Sequence, residues 1–130
     1  MTPLGRSLVW LRRQGFIACA VERWLPRCNR RRDAFGFGDI LAASPRDGVV
    51  LLVQATTAAH VAGRLDKARE IPELAGWLRA GAAFEVHGWF LRAGRWHVRR
   101  VAVAAGDLAG VVLSRRPGRR RRSLQRELFA

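Results

Sequence analysis

At 130 residues the chain is long enough for one compact domain and too short for two. Hydrophobic residues make up 49% of it and charged residues 26%, a balance that builds a core and excludes disorder over most of the length. Twenty-four Lys and Arg against ten Asp and Glu leave a net charge of +14, more than solubility requires and enough to concentrate polyanions around the protein.

Residues 4–14 place Leu4, Leu8 and Leu11 on one stripe with arginines opposite, which predicts a short amphipathic helix closed by Gly15. The next segment, FIACAVERWLP, is rich in β-formers and predicts a strand that Pro26 stops, with RCNRRR after it as a basic loop. A second strand is expected from about Asp33 to Ala43. The SPRDG sequence then gives a hairpin-like turn, and VVLLVQAT follows as a nearly continuous apolar run, expected to be a central strand buried on both faces. From Thr57 the period changes: Val61, Leu65, Ala68, Ile71, Ala75 and Leu78 recur at three and four, and Pro72 opens a second helical piece that Gly81 closes. One kinked helix or two abutting helices fit this pattern. AAFEVHGWFL and RWHVRRVAVA alternate as two strands joined through Ala93-Gly94. The order helix, three strands, helix, two strands predicts a single α/β domain over residues 1–113 with a mixed central sheet. Residues 114–130 hold seven arginines and one glutamate, a charge of +6 that leaves +8 on the body. This tail is expected to be a flexible arm that neutralises phosphates without selecting sequence.

Several classes are disfavoured at once. Cys19 and Cys28 stand nine apart with no other Cys or His in metal spacing, which excludes a zinc ribbon and a disulfide scaffold and points to a reducing cytoplasm. No apolar run is long enough for a signal peptide core or a membrane span. Twenty-three of the 24 cations are arginines, suited to phosphate and to stacking on bases, and the single lysine is Lys67. The runs Arg30, Arg31, Arg32 and Arg119, Arg120, Arg121, Arg122 are the expected phosphate contacts, because blocks of like charge gain nothing from folding.

Asp39, in FGFGDILA, places a carboxylate inside an apolar, glycine-flanked segment, where desolvation is expensive. If the SPRDG turn pairs the second and third strands, Asp39 lies beside Gln54 or Thr56, which share one strand face. Glu22 on the first strand, and Arg64 with Lys67 at i, i+3 on the following helix, are placed to line the same end. Carboxylates around a hard cation, with a lysine near the attacked phosphate, are what metal-dependent phosphodiester hydrolysis requires. The blander expectations are that Asp33 pairs with the arginines before it, that His60, His87 and His97 are surface or strand positions, and that Trp10, Trp24, Trp77, Trp89 and Trp96 build core.

The segment from Glu22 to Trp89 resembles the core of the PD-(D/E)XK superfamily, which includes restriction endonucleases and archaeal-type Holliday junction resolvases. The similarity rests on Phe37-Gly38-Asp39, then Gln54-Ala55-Thr56, then Arg64-Leu65-Asp66-Lys67 and Gly88-Trp89 in that order, about 70 residues in all. The resemblance implies a restriction endonuclease-like α/β core and a metal-dependent DNA endonuclease of resolvase-like type. It gives Asp39 the place of the metal-binding aspartate, Gln54 that of the second acidic ligand and Thr56 that of the lysine. Mg2+ or Mn2+ would be the cofactor, Glu22 would restore a second carboxylate and Lys67 the missing positive charge. DNA is the expected partner, with RNA and a homodimer left open and no membrane role. The alternative is a nucleic-acid-binding module that keeps the fold without catalysis.

Overall fold

The computed structural model describes residues 1–27 and 30–107. Helix α1 spans Pro3–Arg13; Thr2 caps it by accepting from the Gly5 N–H at 3.1 Å, and proline occupies its first turn, where no amide donor is missed. Gly15, at φ 93°, turns the chain out, and the Phe16 N–H returns to the Leu11 carbonyl at 3.0 Å. Two short strands follow, β1 (Ile17–Ala20) and β2 (Arg23–Leu25), then β3 (Arg30–Arg32), β4 (Ile40–Ser44) and β5 (Val49–Thr57). A 3₁₀ turn, Ala58–His60, leads into α2 (Val61–Arg69), α3 (Pro72–Arg79), β6 (Ala83–Arg92) and β7 (Arg95–Ala102).

Five strands form one mixed sheet in the order β1-β4-β5-β6-β7, antiparallel except for the parallel pair β5/β6. The parallel step needs a crossover, and α2 and α3 supply it. Alternation sorts the core into two layers. Leu51 and Val53 of β5, with Ile40 and Ala42 of β4, meet Leu11 of α1 on one face; Leu52 of β5, with Phe84 and Val86 of β6, meets Val61, Leu65, Leu74 and Leu78 of α2 and α3 on the other. The expected central position of the third strand is therefore found, since β5 is covered on both faces.

The strand boundaries differ from expectation in three places. FIACAVERWLP is not one strand: it breaks at Val21-Glu22, and β2 leaves the main sheet to pair with β3 in a separate two-stranded sheet. Arg30–Arg32, expected as a basic loop, are β3 itself. The segment 33–39 is not strand either, because Ala34 and Gly38 close a tight loop whose Phe35 and Gly36 take φ 55° and 84°. The ambiguity over the crossover resolves as two helices, with the chain extended at Ile71 before Pro72, as the residue preceding a proline prefers. Among the described residues no helix is long and apolar enough to cross a membrane. The tail expected at 114–130 lies outside the described residues.

Candidate metal centre

Asp39 immediately precedes β4 and is pinned by its backbone on both sides. Its N–H donates to the Val53 carbonyl at 2.9 Å and its carbonyl accepts from the Val21 N–H at 3.0 Å. The first bond sets Asp39 opposite Gln54 and the second draws in the neighbouring Glu22. Gly38 makes the seat possible, since a Cβ there would lie 2.8 Å from Leu52 Cδ2. The loop closed by Ala34 and Gly38, with N–H···O bonds of 2.7 and 3.1 Å, then folds Asp33 back against Asp39, six residues on. Oxygens of Glu22, Asp33 and Asp39 all lie within 4.8 Å of one another. Oxygen ligands about 2.0–2.6 Å from a single cation stand at most about 4 to 5 Å apart, so this cluster could hold a metal ion.

Asp39 is 5% exposed, whereas Glu22 and Asp33 are half-buried, so the cluster meets solvent through the latter two. Burial raises the Asp39 pKa from 3.8 to about 7; the neighbouring charges of Asp33 and Glu22 push the same way, and the Ala55 N–H, donating to Oδ1 at 3.1 Å, opposes them.

The Gln54 side chain faces the same cluster. One end of its amide lies 3.3 Å from Asp39 Oδ2; the other faces the Phe37 carbonyl and Asp33 Oδ2. The nitrogen satisfies more acceptors when it donates to Phe37 O at 2.9 Å and Asp33 Oδ2 at 3.1 Å, which turns Gln54 Oε1 toward Asp39 Oδ2. Two acceptor oxygens then face each other and require a proton on Asp39 or a cation between them. Carboxylates with an amide oxygen beside them are donors suited to a hard cation.

Thr56, two residues along β5, is buried on the same sheet face as Gln54. Arg64 is half-buried at the flank of the stripe by which α2 packs on the sheet, and Lys67 is exposed one step further round the helix. Among the described residues Lys67 makes no hydrogen bond or ion pair with the cluster. Asp33, expected beside the arginines that precede it, is the third carboxylate of the cluster, a place that sequence reasoning missed. Its signal was the glycine-rich spacing to Asp39, which allows the chain to double back. Of the expected phosphate-binding arginines, Arg30, Arg31 and Arg32 form β3, with Arg32 exposed, while Arg119–Arg122 fall outside the described residues.

A second polar cluster lies on the opposite face of the sheet. The Trp89 Nε1–H donates to Ser7 Oγ at 2.8 Å, Ser7 Oγ lies 2.9 Å from His87 Nδ1, and His87 Nε2 lies 2.9 Å from Glu85 Oε1. The two ring nitrogens of His87 are thus bonded on either side, to Ser7 and to Glu85. Ser7, Glu85 and His87 are fully buried. The sequence of hydroxyl, imidazole and carboxylate matches a nucleophile relay, but all three groups are sealed from solvent and their bonds tie α1 to β6. His87 is thus a strand residue as expected, but a core one, and its partner Ser7 is 80 positions away. Arg100 Nη1 forms an ion pair with Glu85 Oε1 at 3.9 Å, too far for a hydrogen bond, and Glu85 Oε2 accepts no hydrogen bond among the described residues. The expectation that all the tryptophans build core fails for Trp24 and Trp96, which are 52% and 45% exposed.

No family model matches the chain, nor does any curated protein or solved structure.

Proposed function

We propose that the protein is a metal-dependent endonuclease acting on DNA, with a restriction endonuclease-like core and a centre formed by Glu22, Asp33, Asp39 and Gln54. The observation that carries this reading is the convergence of three carboxylates within 4.8 Å. The strand order and the placement of Asp39 opposite Gln54 are compatible with the resemblance to PD-(D/E)XK nucleases. The surplus of arginine supplies the attraction for a polyanionic substrate. Mg2+ or Mn2+ at this centre would activate water and stabilise charge developing on phosphorus. Asp39, Asp33 and Glu22 would hold the cation and Gln54 would add a neutral oxygen, with the half-buried Glu22 and Asp33 leaving the centre open to solvent. Lys67, the single lysine, supplies the cation that Thr56 cannot, by extending from the exposed flank of α2.

The test is cleavage of duplex, branched and single-stranded DNA with either metal. Asp39→Ala and Lys67→Ala should abolish cleavage, and Lys67→Ala should leave DNA binding nearly unchanged, because one charge among 24 adds little to the field. Gln54→Glu should preserve or raise activity by adding a carboxylate. One observation favours the second reading, a binding module without catalysis: threonine stands at position 56 and Lys67 makes no contact with the cluster. That reading is the one to keep if neither the wild type nor Gln54→Glu cleaves any DNA while binding persists.

A further inference from the structure

The last strand pair runs past the sheet that supports it. β5 pairs with β6 only as far as Thr57↔Trp89, whereas β6 and β7 continue through Phe90↔His97, Leu91↔Trp96 and Arg92↔Arg95. Among the described residues, three residue pairs and a two-residue turn therefore extend past β5 as a two-stranded ribbon, projecting about 10 Å at the usual rise of a strand. Ala93 and Gly94, at φ 51° and 74°, form the tight turn that suits the twist of such a ribbon.

The composition of the ribbon is unusual for a free surface. Leu91 and Trp96 are 58% and 45% exposed, and Arg92, Arg95 and Arg99 are exposed beside them. The Arg6 guanidinium, from α1, lies 3.9 Å above the Trp96 ring, and the Phe90 and His97 rings stack at 5.5 Å on the other side. Residues 86–106 contain no carboxylate at all. Among the described residues Arg6, Arg92, Arg95 and Arg99 make no ion pair, so their charge is available to a partner. Alternation puts Arg95 and Arg99 on the sheet face that holds Asp39 and Gln54. Thr56, Gly88 and Arg99 form one row across β5, β6 and β7, which sets Arg99 about 10 Å from the strand of the metal centre.

We infer that this ribbon, residues 90–97, together with Arg99 at its base, is a duplex-DNA contact that enters the major groove, with Arg92, Arg95 and Arg99 on phosphates and Trp96 on the groove wall. The inference rests on the proposed reading for its partner and adds where and how that partner is held. Charge complementarity favours a polyanion. The dimensions favour B-form DNA, whose major groove, about 12 Å wide and 8.5 Å deep, admits a two-stranded ribbon, whereas that of A-form RNA is too narrow.

The experiment measures binding of the full chain to a 25-base-pair DNA duplex by fluorescence anisotropy in EDTA, across about 50 to 200 mM salt, so that cleavage plays no part. Arg92→Ala/Arg95→Ala/Arg99→Ala should weaken binding on the order of 10- to 100-fold and lower the salt slope by about two to three, one unit for each phosphate no longer neutralised. A charge-matched control, Arg46→Ala/Arg69→Ala/Arg79→Ala, should change the slope by less than one. Trp96→Ala should weaken binding several-fold with the slope unchanged, because it removes apolar surface and no charge. Duplex RNA of the same sequence should bind less tightly and respond little to the ribbon changes. Equal losses from the ribbon and control triples, no loss from Trp96→Ala, or equal ribbon sensitivity on RNA would each overturn the inference while leaving the nuclease reading intact. Failure of the wild type to bind duplex DNA would remove both.

Discussion

Replacing Asp39 by asparagine should stabilise the metal-free protein at neutral and alkaline pH. In the folded chain the Asp39 pKa is raised from 3.8 to about 7, first by burial and then by the charges of Asp33 and Glu22. The folded state therefore holds this proton more tightly than the unfolded chain does. Its contribution to stability is fully present below about pH 4, is lost as pH rises toward 7, and is a constant penalty above that. A gap of roughly three pH units corresponds to on the order of 4 kcal/mol. Asparagine cannot ionise, its side-chain oxygen still accepts from the Ala55 N–H, and its amide nitrogen faces Gln54 Oε1 where the proton would otherwise be needed. Urea unfolding followed by tryptophan fluorescence in EDTA, at several pH values between 4 and 9, isolates the effect as the difference between wild type and variant. That difference should grow from near zero at pH 4 to a few kcal/mol in favour of Asp39→Asn at pH 8. A variant no more stable than wild type at pH 8, or a difference independent of pH, would refute the claim that the carboxylate is held against its own ionisation.

Four other outcomes are expected. Mn2+ or Mg2+ at about 100 times its dissociation constant should add roughly 2.7 kcal/mol to the unfolding free energy, and Asp33→Asn or Asp39→Asn should remove that gain. Because binding must displace the Asp39 proton, calorimetry in buffers of different ionisation heat should detect proton release below about pH 7. His87→Ala strips partners from Ser7 and Glu85 at full burial and should destabilise the fold by about 3–5 kcal/mol in urea while leaving metal affinity unchanged; a loss under about 1 kcal/mol would mean that the network holds little together. Gly88→Ala introduces a Cβ 2.3 Å from Val61 Cγ2 and 2.9 Å from Ala58 Cα, so it should lose about 1–3 kcal/mol, and adding Val61→Ala should restore only part of that, since the Ala58 backbone stays in the way.

The elements fixed by periodicity were legible in the sequence: the Leu4/Leu8/Leu11 stripe of α1, the apolar run of β5, and the two-residue turn between β6 and β7. The pairing of Asp39 with Gln54 was also within reach, because the SPRDG turn sets the register of β4 on β5. Asp33 was not legible in the same way. Three adjacent arginines offered it a local partner, and only the positive φ of Phe35 and Gly36 shows the chain turning back on itself. Glu85, His87 and Trp89 alternate onto one strand face, which hints at a shared environment, but the hydroxyl that completes the network comes from α1 and has no sequence signature. Trp96 reads as core because alternation specifies which face a residue occupies and says nothing about whether a neighbour covers it.

The free edge of β7 bears on solubility as well as on binding. The five-stranded sheet ends in β1 on one side and β7 on the other. β1 has four residues, short enough to offer a second molecule little to pair with, but β7 has eight, and among the described residues no strand pairs with its outer side. Arg95, Arg99 and Arg100 lie along that strand, so two copies approaching edge to edge meet like charges. A protein depleted of these arginines, or held at salt high enough to screen them, should be the form in which molecules begin to stack through their sheets, and light scattering would reveal it before any loss of fold.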